Sequence, residues 1–317
     1  MTYAKIHTTG RYLPTKVVSN CDLPSTLNTS HEWIVERTGI ERRHIAQAHE
    51  TTSYMASQAA INCLEKSGLE VDDIDMILVA TCTPDHFFPS MACYVQKALG
   101  CSRYIPSMDI SAACSGFIYA LDVANQYILS GTARNIMVVG SESMSRAVDW
   151  TDRSSCILFG DGAAAVIISA SDQPGIIGSQ LHASHDNDGL LSYPNNTGIE
   201  SSAFISMKGN EVFKLAVNHM GNIVDQILEK YCLKKSDINW LLPHQANFRI
   251  IKAIAKKLEL PMSQVILTIA DQGNTSAASI PLAFDYAIEN NLIKRGEIIL
   301  MESFGGGLTW GAMLLQY

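Results

Sequence analysis

Asp73–Ala80 reads DIDMILVA and Asp237–Pro243 reads DINWLLP, the same acidic lead into a short apolar run 164 residues later (237 − 73 = 164). Flanking segments repeat as well. ALDVA at Ala120–Ala124 returns as AFDYA at Ala283–Ala287 (283 − 120 = 163). NIMVVGSES at Asn135–Ser143 returns as EIILMESF at Glu297–Phe304, with Ile136 and Ile298 differing by 162 (298 − 136 = 162). Three matched segments in one order at a nearly constant offset predict an internal duplication. Their runs are apolar throughout rather than alternating, as in strands buried on both faces, so each half is predicted to be an α/β unit around a mostly parallel sheet.

In the first half the pattern predicts a helix over 53–68, a strand over 75–82, a helix over 90–100 and a strand, YIPSMDI, over 104–110. The second half predicts helix 212–232, strand 239–244, helix 246–260 and a strand before a turn at Asn274, with a further helix over 275–290. FIYALDVANQYILSG (Phe117–Gly131) has helical periodicity and a glycine stop. SASDQPG (Ser169–Gly175) is small, polar and proline-bearing, and it separates a half at 1–172 from a half at 173–317. Residues 186–210 read as a turn-rich insertion. GDGAAAV (Gly160–Val166) reads as a buried strand begun by glycine, since it lacks GxGxxG.

The 317 residues are 47% hydrophobic, enough for a sizeable core, and their formal charge of −8 argues against non-specific nucleic-acid binding. Eight cysteines without CxxC or zinc spacing, together with an N-terminus lacking a signal-peptide apolar core, predict a reducing cytoplasmic compartment. No apolar stretch approaches the roughly 20 residues needed to cross a bilayer, so no membrane span is expected. HASHDNDG (His182–Gly189) offers two histidines and two aspartates, but its calcium-loop spacing is incomplete and no metal is expected.

Cys114 lies in DISAACSGF (Asp109–Phe117), between an apolar strand and a helix. A helix N-terminus presents unpaired N–H groups and partial positive charge, which favour a thiolate nucleophile. A buried thiol acting as a small hydrophobe is the other reading. If the halves are pseudo-symmetric, Asn274 occupies a nearly equivalent turn (274 − 114 = 160), where it could equally be a helix N-cap. His244 ends the strand NWLLPH, whose C-terminal end points to the crevice where α/β sheets bind ligands. A Cys114, His244, Asn274 constellation follows.

ACSGF around Cys114, PHQANFRI around His244, GNTSAAS around Asn274 and ESFGGGLTWGA near the C-terminus resemble the signatures of β-ketoacyl-acyl carrier protein synthase III. The resemblance extends from GRYLPT (Gly10–Thr15) to the C-terminus. It implies a thiolase-like fold, a five-layered α-β-α-β-α sandwich, and a homodimeric acyltransferase. It further implies decarboxylative condensation of a short acyl-CoA, such as acetyl-CoA, with malonyl-acyl carrier protein, initiating type II fatty acid synthesis. Coenzyme A would be a thioester substrate and no resident cofactor is implied. Elongating relatives resemble a Cys, His, His set and thiolases add a late second cysteine, whereas this chain has Asn274 and no cysteine after Cys232. A condensing enzyme of secondary metabolism with another starter or acceptor, and a non-catalytic scaffold, are the alternatives.

The resemblance also distributes roles. Cys114 would carry the acyl group, while His244 and Asn274 would donate to the thioester oxygen as carbon dioxide leaves. The backbone N–H groups of Cys114 and Gly306 would form the oxyanion hole. Trp33 and Arg37 in HEWIVERTGI (His31–Ile40), with Arg153, would hold adenine, and Asn210 and Asn247 would contact pantetheine. Lys214, Arg249, Lys256 and Lys257 are candidates for binding the acidic carrier protein, although the two adjacent lysines also suit a solvated helix face. Phe88 resembles the aromatic that a neighbouring subunit inserts into the acyl pocket, and the adjacent Phe87 leaves the choice between them open.

Overall fold

The computed structural model describes residues 2–194 and 204–317. The strands are β1 (Tyr3–Tyr12), β2 (Val17–Ser19), β3 (Arg42–His44), β4 (Met76–Ala80), β5 (Ser107–Ile110), β6 (Asn135–Ser143), β7 (Asp161–Ser171), β8 (Ile176–Ala183), β9 (Leu191–Ser192), β10 (Ser206–Met207), β11 (Trp240–Pro243), β12 (Ile298–Gly305) and β13 (Thr309–Gln316). The helices are α1 (His31–Thr38), α2 (Thr52–Ser67), α3 (Met91–Leu99), α4 (Gly116–Leu129), α5 (Arg153–Cys156), α6 (Gly209–Lys230), α7 (Phe248–Leu258), α8 (Ile269–Gln272) and α9 (Ser279–Glu289).

Two sheets carry the fold. One runs β1-β7-β6-β4-β5 and the other β8-β13-β12-β11. A parallel pair in each (β4 with β6, β11 with β12) leads into two antiparallel neighbours (β7 then β1, β13 then β8), and β5 adds a second parallel partner to β4 in the first sheet only, so both sheets are mixed rather than mostly parallel as expected. The pairing repeats because the buried apolar runs do: every residue of β4 is buried, as are all but the first of β6 and of β12. β7 closes the first sheet's chain run at Ser171, and β8 opens the second at Ile176.

α4 and α9 lie between the sheets, α2 and α3 cover the outer face of the first, and α6 and α7 cover the outer face of the second. This is the five-layered sandwich the resemblance implied. The middle layer is apolar all round, as a helix packed on two sides must be: Phe117, Leu121, Ile280 and Phe284 are at most 1% exposed. Arg43 is the largest fully buried side chain among the described residues; it ties the β2–β3 region to the main body through Ile157 O at 2.6 Å, and within that region it donates to Asn20 Oδ1 at 2.9 Å.

Three expectations of element bounds need correction. The strand expected over 104–110 begins only at Ser107; Pro106 lacks an N–H, Tyr104 is fully exposed, and β5 is an edge strand. No strand precedes Asn274: the segment pairs with β11 only through the bridge of Leu241 with Val265, and α8 occupies Ile269–Gln272. The helix expected from 275 starts at Ser279, after a 3-10 turn at Ser276–Ala278. Within the 186–210 insertion, β9 and β10 pair antiparallel, and 195–203 lies outside the described residues.

Candidate active site

A cavity of about 730 Å³ opens where the C-terminal ends of β4, β6, β11 and β12 meet the turns into α4 and α9, and Cys114, His244 and Asn274 all line it. Cys114 sits in a 3-10 turn, Ala113–Ser115, directly before α4. The non-glycine Ala113 is left-handed, at φ +46°. The same arrangement recurs before α9, where Ser276 has φ +50° and opens the turn Ser276–Ala278. Their spacing, 276 − 113 = 163, equals one of the offsets read from sequence. The residue equivalent to Cys114 is therefore Ala277, and Asn274 lies three residues upstream of the position the symmetry argument gave it. Left-handed geometry costs an L-residue about 1–2 kcal/mol, so both turns store strain at the cavity wall.

Cys114 is half-buried and its apolar surroundings push the thiol up to about 12, with the Ser276 hydroxyl pulling the other way and Glu142 adding to the rise. Burial therefore opposes the thiolate stabilisation expected from the helix end. The neighbouring Cys82, also in the cavity, donates from Sγ to Glu142 Oε1 at 3.2 Å. Glu142 is fully buried at the end of β6 and accepts from Thr83 N at 3.1 Å and Thr83 Oγ1 at 2.6 Å, bracing the turn after β4.

His244 continues the β11 ladder, its N–H donating to Glu302 O at 2.8 Å. It is 3% exposed, and burial pushes its imidazole down to about 3. Gln245 locks this strand end: its side chain donates to Pro243 O at 2.8 Å and accepts from Thr268 N at 3.0 Å. Because the native ring resists protonation until about pH 3 while an unfolded imidazole takes a proton near 6.5, the unfolded state binds more protons between those values. Acidification through that window therefore costs stability, by up to about 1.4 kcal/mol per pH unit from this group. The His244→Gln variant is expected to lose less stability than the wild type between about pH 6.5 and 4, read as urea midpoints; parallel curves would refute this.

Asn274 is 6% exposed, and its backbone is clamped to the 158–160 segment by Asn274 N–H to Leu158 O at 2.8 Å and Gly160 N–H to Asn274 O at 3.0 Å. Its Oδ1 accepts from Ser276 N at 2.9 Å, so it caps the 3-10 turn rather than α9 itself. That bond leaves the amide NH2 as the donor available to the cavity.

The hairpin between β12 and β13 is tied onto the Cys114 turn by three hydroxyls. Ser303 Oγ donates to Cys114 O at 2.8 Å, Thr309 Oγ1 to Ala112 O at 2.9 Å, and Ser115 Oγ to Thr309 O at 3.0 Å. A Cβ at Gly305 would fall 2.7 Å from Cys114 N, so the approach requires glycine there. Gly306 lines the cavity next to it. Sequence reading singled out Gly306 and passed over Gly305, Ser303, Thr309, Glu142 and Gln245. The signal available for them was polar side chains inside otherwise buried apolar runs.

At the mouth, Trp33 on α1 has the Arg37 guanidinium 4.5 Å and the Arg153 guanidinium 4.8 Å from its ring centroid. Asn210, Asn247 and Arg249 also line the cavity. Both ends of the Asn247 side chain are already engaged, Oδ1 by Arg249 N at 2.9 Å as the α7 N-cap and Nδ2 by Arg37 O at 3.0 Å. The Arg249 guanidinium lies 5.0 Å from the centre of the Phe213 ring, and Lys257 pairs with Asp225 at 2.7 Å. Lys214 and Lys256 are exposed. Lys252, not singled out from sequence, is exposed on α7 and shares a stripe with Arg249 and Lys256 at i+3 and i+7 spacing.

Phe87 and Phe88 are 75% and 86% exposed, and neither is among the described residues lining the chain's own cavity. In the 182–189 stretch His182 stacks on Trp310 and Asp186 Oδ2 accepts from Leu190 N and Leu191 N, giving these groups structural partners.

The chain matches the family described as 3-oxoacyl-[acyl-carrier-protein (ACP)] synthase III over residues 108–185, and its C-terminal region over residues 228–317. It is 54% identical over 319 residues to the beta-ketoacyl-[acyl-carrier-protein] synthase III of Methylococcus capsulatus, covering 99% of each chain. It is 53% identical over 319 residues to the protein of that name from Thiobacillus denitrificans, covering 100% of each. The crystal structure of 3-oxoacyl-[acyl-carrier-protein] synthase III from Aquifex aeolicus superposes with a TM-score of 0.94 at 48% identity, covering 99% of this chain and 100% of that one.

Proposed function

This chain belongs to the 3-oxoacyl-[acyl-carrier-protein] synthase III family, and we propose that it condenses a short acyl group from coenzyme A, acetyl in the simplest case, with malonyl-acyl carrier protein. Carbon dioxide is lost, and the 3-oxoacyl-acyl carrier protein that forms starts type II fatty acid synthesis. The observation that carries this reading is that Cys114, His244 and Asn274, from three separate segments, line one cavity.

The Cys114 sulfur attacks the acyl-CoA carbonyl, its proton passes to the departing coenzyme A sulfur, and a new thioester holds the acyl group. Malonyl-acyl carrier protein follows. Its carboxylate leaves as carbon dioxide, and the electron pair moves onto the thioester oxygen, where the His244 Nε2–H and the Asn274 NH2 donate. The enolate carbon then attacks the acyl-Cys114 carbonyl, whose oxygen turns to the backbone N–H groups of Cys114 and Gly306. Collapse expels the Cys114 thiolate, which takes a proton from solvent. Coenzyme A enters only as a thioester substrate and leaves as the thiol.

Trp33, Arg37 and Arg153 bind the adenine end: a purine stacked on the indole replaces one of the two guanidiniums now beside it. Asn210 and Asn247 face the pantetheine arm. Arg249, with Lys214, Lys256 and Lys257, receives the acidic carrier at the mouth, and Lys252 extends that row. The working unit is a homodimer. Exposed Phe87, Phe88, Tyr104 and Met108 on or near the edge strand β5 support it, and Phe88 or Phe87 would reach the partner's pocket. Among the described residues no helix is long and apolar enough to cross a membrane. The cytoplasm is the proposed compartment, and the free cysteines suit it.

Intact-mass measurement after mixing with acetyl-CoA is expected to show one acetyl adduct, mapped to Cys114 by peptide analysis. A chain that stays unmodified under conditions where it binds coenzyme A would overturn the enzyme and leave a scaffold.

A further inference from the structure

Ser279, the first residue of α9, is 1% exposed, and its hydroxyl oxygen lies 2.6 Å from His244 Nδ1. The same oxygen accepts from the Gln245 main-chain N–H at 3.3 Å. An amide N–H only donates, so this bond uses a lone pair of the hydroxyl and leaves its hydrogen to be placed. Among the described residues no other acceptor is recorded for that hydrogen. If Nδ1 carried the imidazole proton, the hydroxyl would accept twice and its own hydrogen would be buried without a partner. If Nδ1 is the acceptor, every group at this junction is satisfied.

We infer that Ser279 is a positioning residue for the condensation: its hydroxyl donates to His244 Nδ1 and so holds the single imidazole proton on Nε2, the nitrogen turned to the cavity. Burial that keeps the ring neutral is consistent with this, since a neutral ring has one proton to place. The Gln245 side chain fixes the strand end that carries its own backbone amide, and that amide orients the hydroxyl. The relay therefore runs from the Gln245 backbone through Ser279 to the ring, with no carboxylate in it. A carboxylate against Nδ1 would favour the imidazolium, whereas a hydroxyl can supply one hydrogen and leave the ring an uncharged donor.

This inference rests on the proposed role of His244 as a donor to the thioester oxygen, and its test separates the two. In the full-length wild-type protein labelled with ¹⁵N-histidine, with the His244 signals assigned by their loss in His244→Gln, two-bond ¹⁵N–¹H correlations should show the Nε2–H tautomer alone. An Nδ1–H tautomer or a mixture would overturn the proposal. In half-reaction assays Ser279→Ala should lower decarboxylation of malonyl-acyl carrier protein at least about tenfold, leave acetylation of Cys114 within about twofold, and be rescued by Ser279→Thr. Equal losses in both half-reactions, or no loss in either, would also overturn it. If Ser279→Ala does not fold, the wild-type tautomer decides. A protein that shows the Nε2–H tautomer but never acylates Cys114 would refute the proposed function and leave the hydrogen-bond assignment standing.

Discussion

Cys114→Ala is expected to form no acyl adduct with acetyl-CoA and to lose condensation by on the order of 10⁴-fold or more, the scale reported when a covalent nucleophile is removed. The expectation depends on nothing else in the cavity taking over. The nearest alternative is Cys82, whose sulfur also faces the cavity, but its S–H donates to Glu142 and burial pushes that thiol far above its usual range. The buried Glu142 carboxyl that holds this proton disfavours its loss, so Cys82 is not expected to substitute. Decarboxylation of malonyl-acyl carrier protein needs the donors rather than the sulfur, so it should continue in this variant. Intact mass for the adduct, product separation for condensation and carbon dioxide release for decarboxylation distinguish the three. An adduct forming in Cys114→Ala at the wild-type rate would place the nucleophile elsewhere.

The second large effect belongs to the donor pair. Removing one preorganised donor to a developing oxyanion typically costs about 2.7–4 kcal/mol, so His244→Ala and Asn274→Ala should each slow decarboxylation about 10²- to 10³-fold. Acylation of Cys114 should change by no more than about threefold in His244→Ala if the acyl-CoA carbonyl is served by backbone N–H groups, as proposed. If both donors act on one oxygen, the double variant should fall well short of the product of the single effects. Asn274→Ala carries an additional consequence. It deletes the Oδ1 that accepts from Ser276 N and so frees a turn held at φ +50°. Asn274→Asp keeps an acceptor for Ser276 while removing the NH2, and should decarboxylate as slowly as Asn274→Ala if the donor is what matters. Recovery of the wild-type rate in Asn274→Asp would sink that assignment.

The strands that were readable from sequence are those buried along nearly their whole length. DMILVA and NIMVVGSES announce themselves because no face of β4 or β6 meets water. The edges were harder. YIPSMDI was over-extended because Tyr104 and Ile105 look apolar while Pro106, at an unpaired edge, gives no periodic warning. The second-half counterpart of β5 has shrunk to one bridge at Val265, since a short helix, α8, takes over at Ile269 within the apolar run VILTI. The nucleophile turn was legible through its flanking elements, but the register between the halves was not. Segment offsets of 162 to 164 could place Asn274 only to within a few residues, and it took two left-handed residues to align Ala113 with Ser276. Ser279, Ser303 and Thr309 escaped because a hydroxyl within a buried run looks the same whether it braces a site or merely bonds its own backbone.

The aligned turns also fix how many covalent stations the molecule has. Duplication supplies two geometrically matched sites at the centre of the sandwich, each a left-handed residue followed by a 3-10 turn and an interior helix. In one the next side chain is the sulfur of Cys114, and in the other it is the methyl group of Ala277. On the proposed function a symmetric frame loads asymmetrically: each chain would store a single acyl equivalent, and the mirrored turn holds the asparagine proposed to act on the incoming thioester.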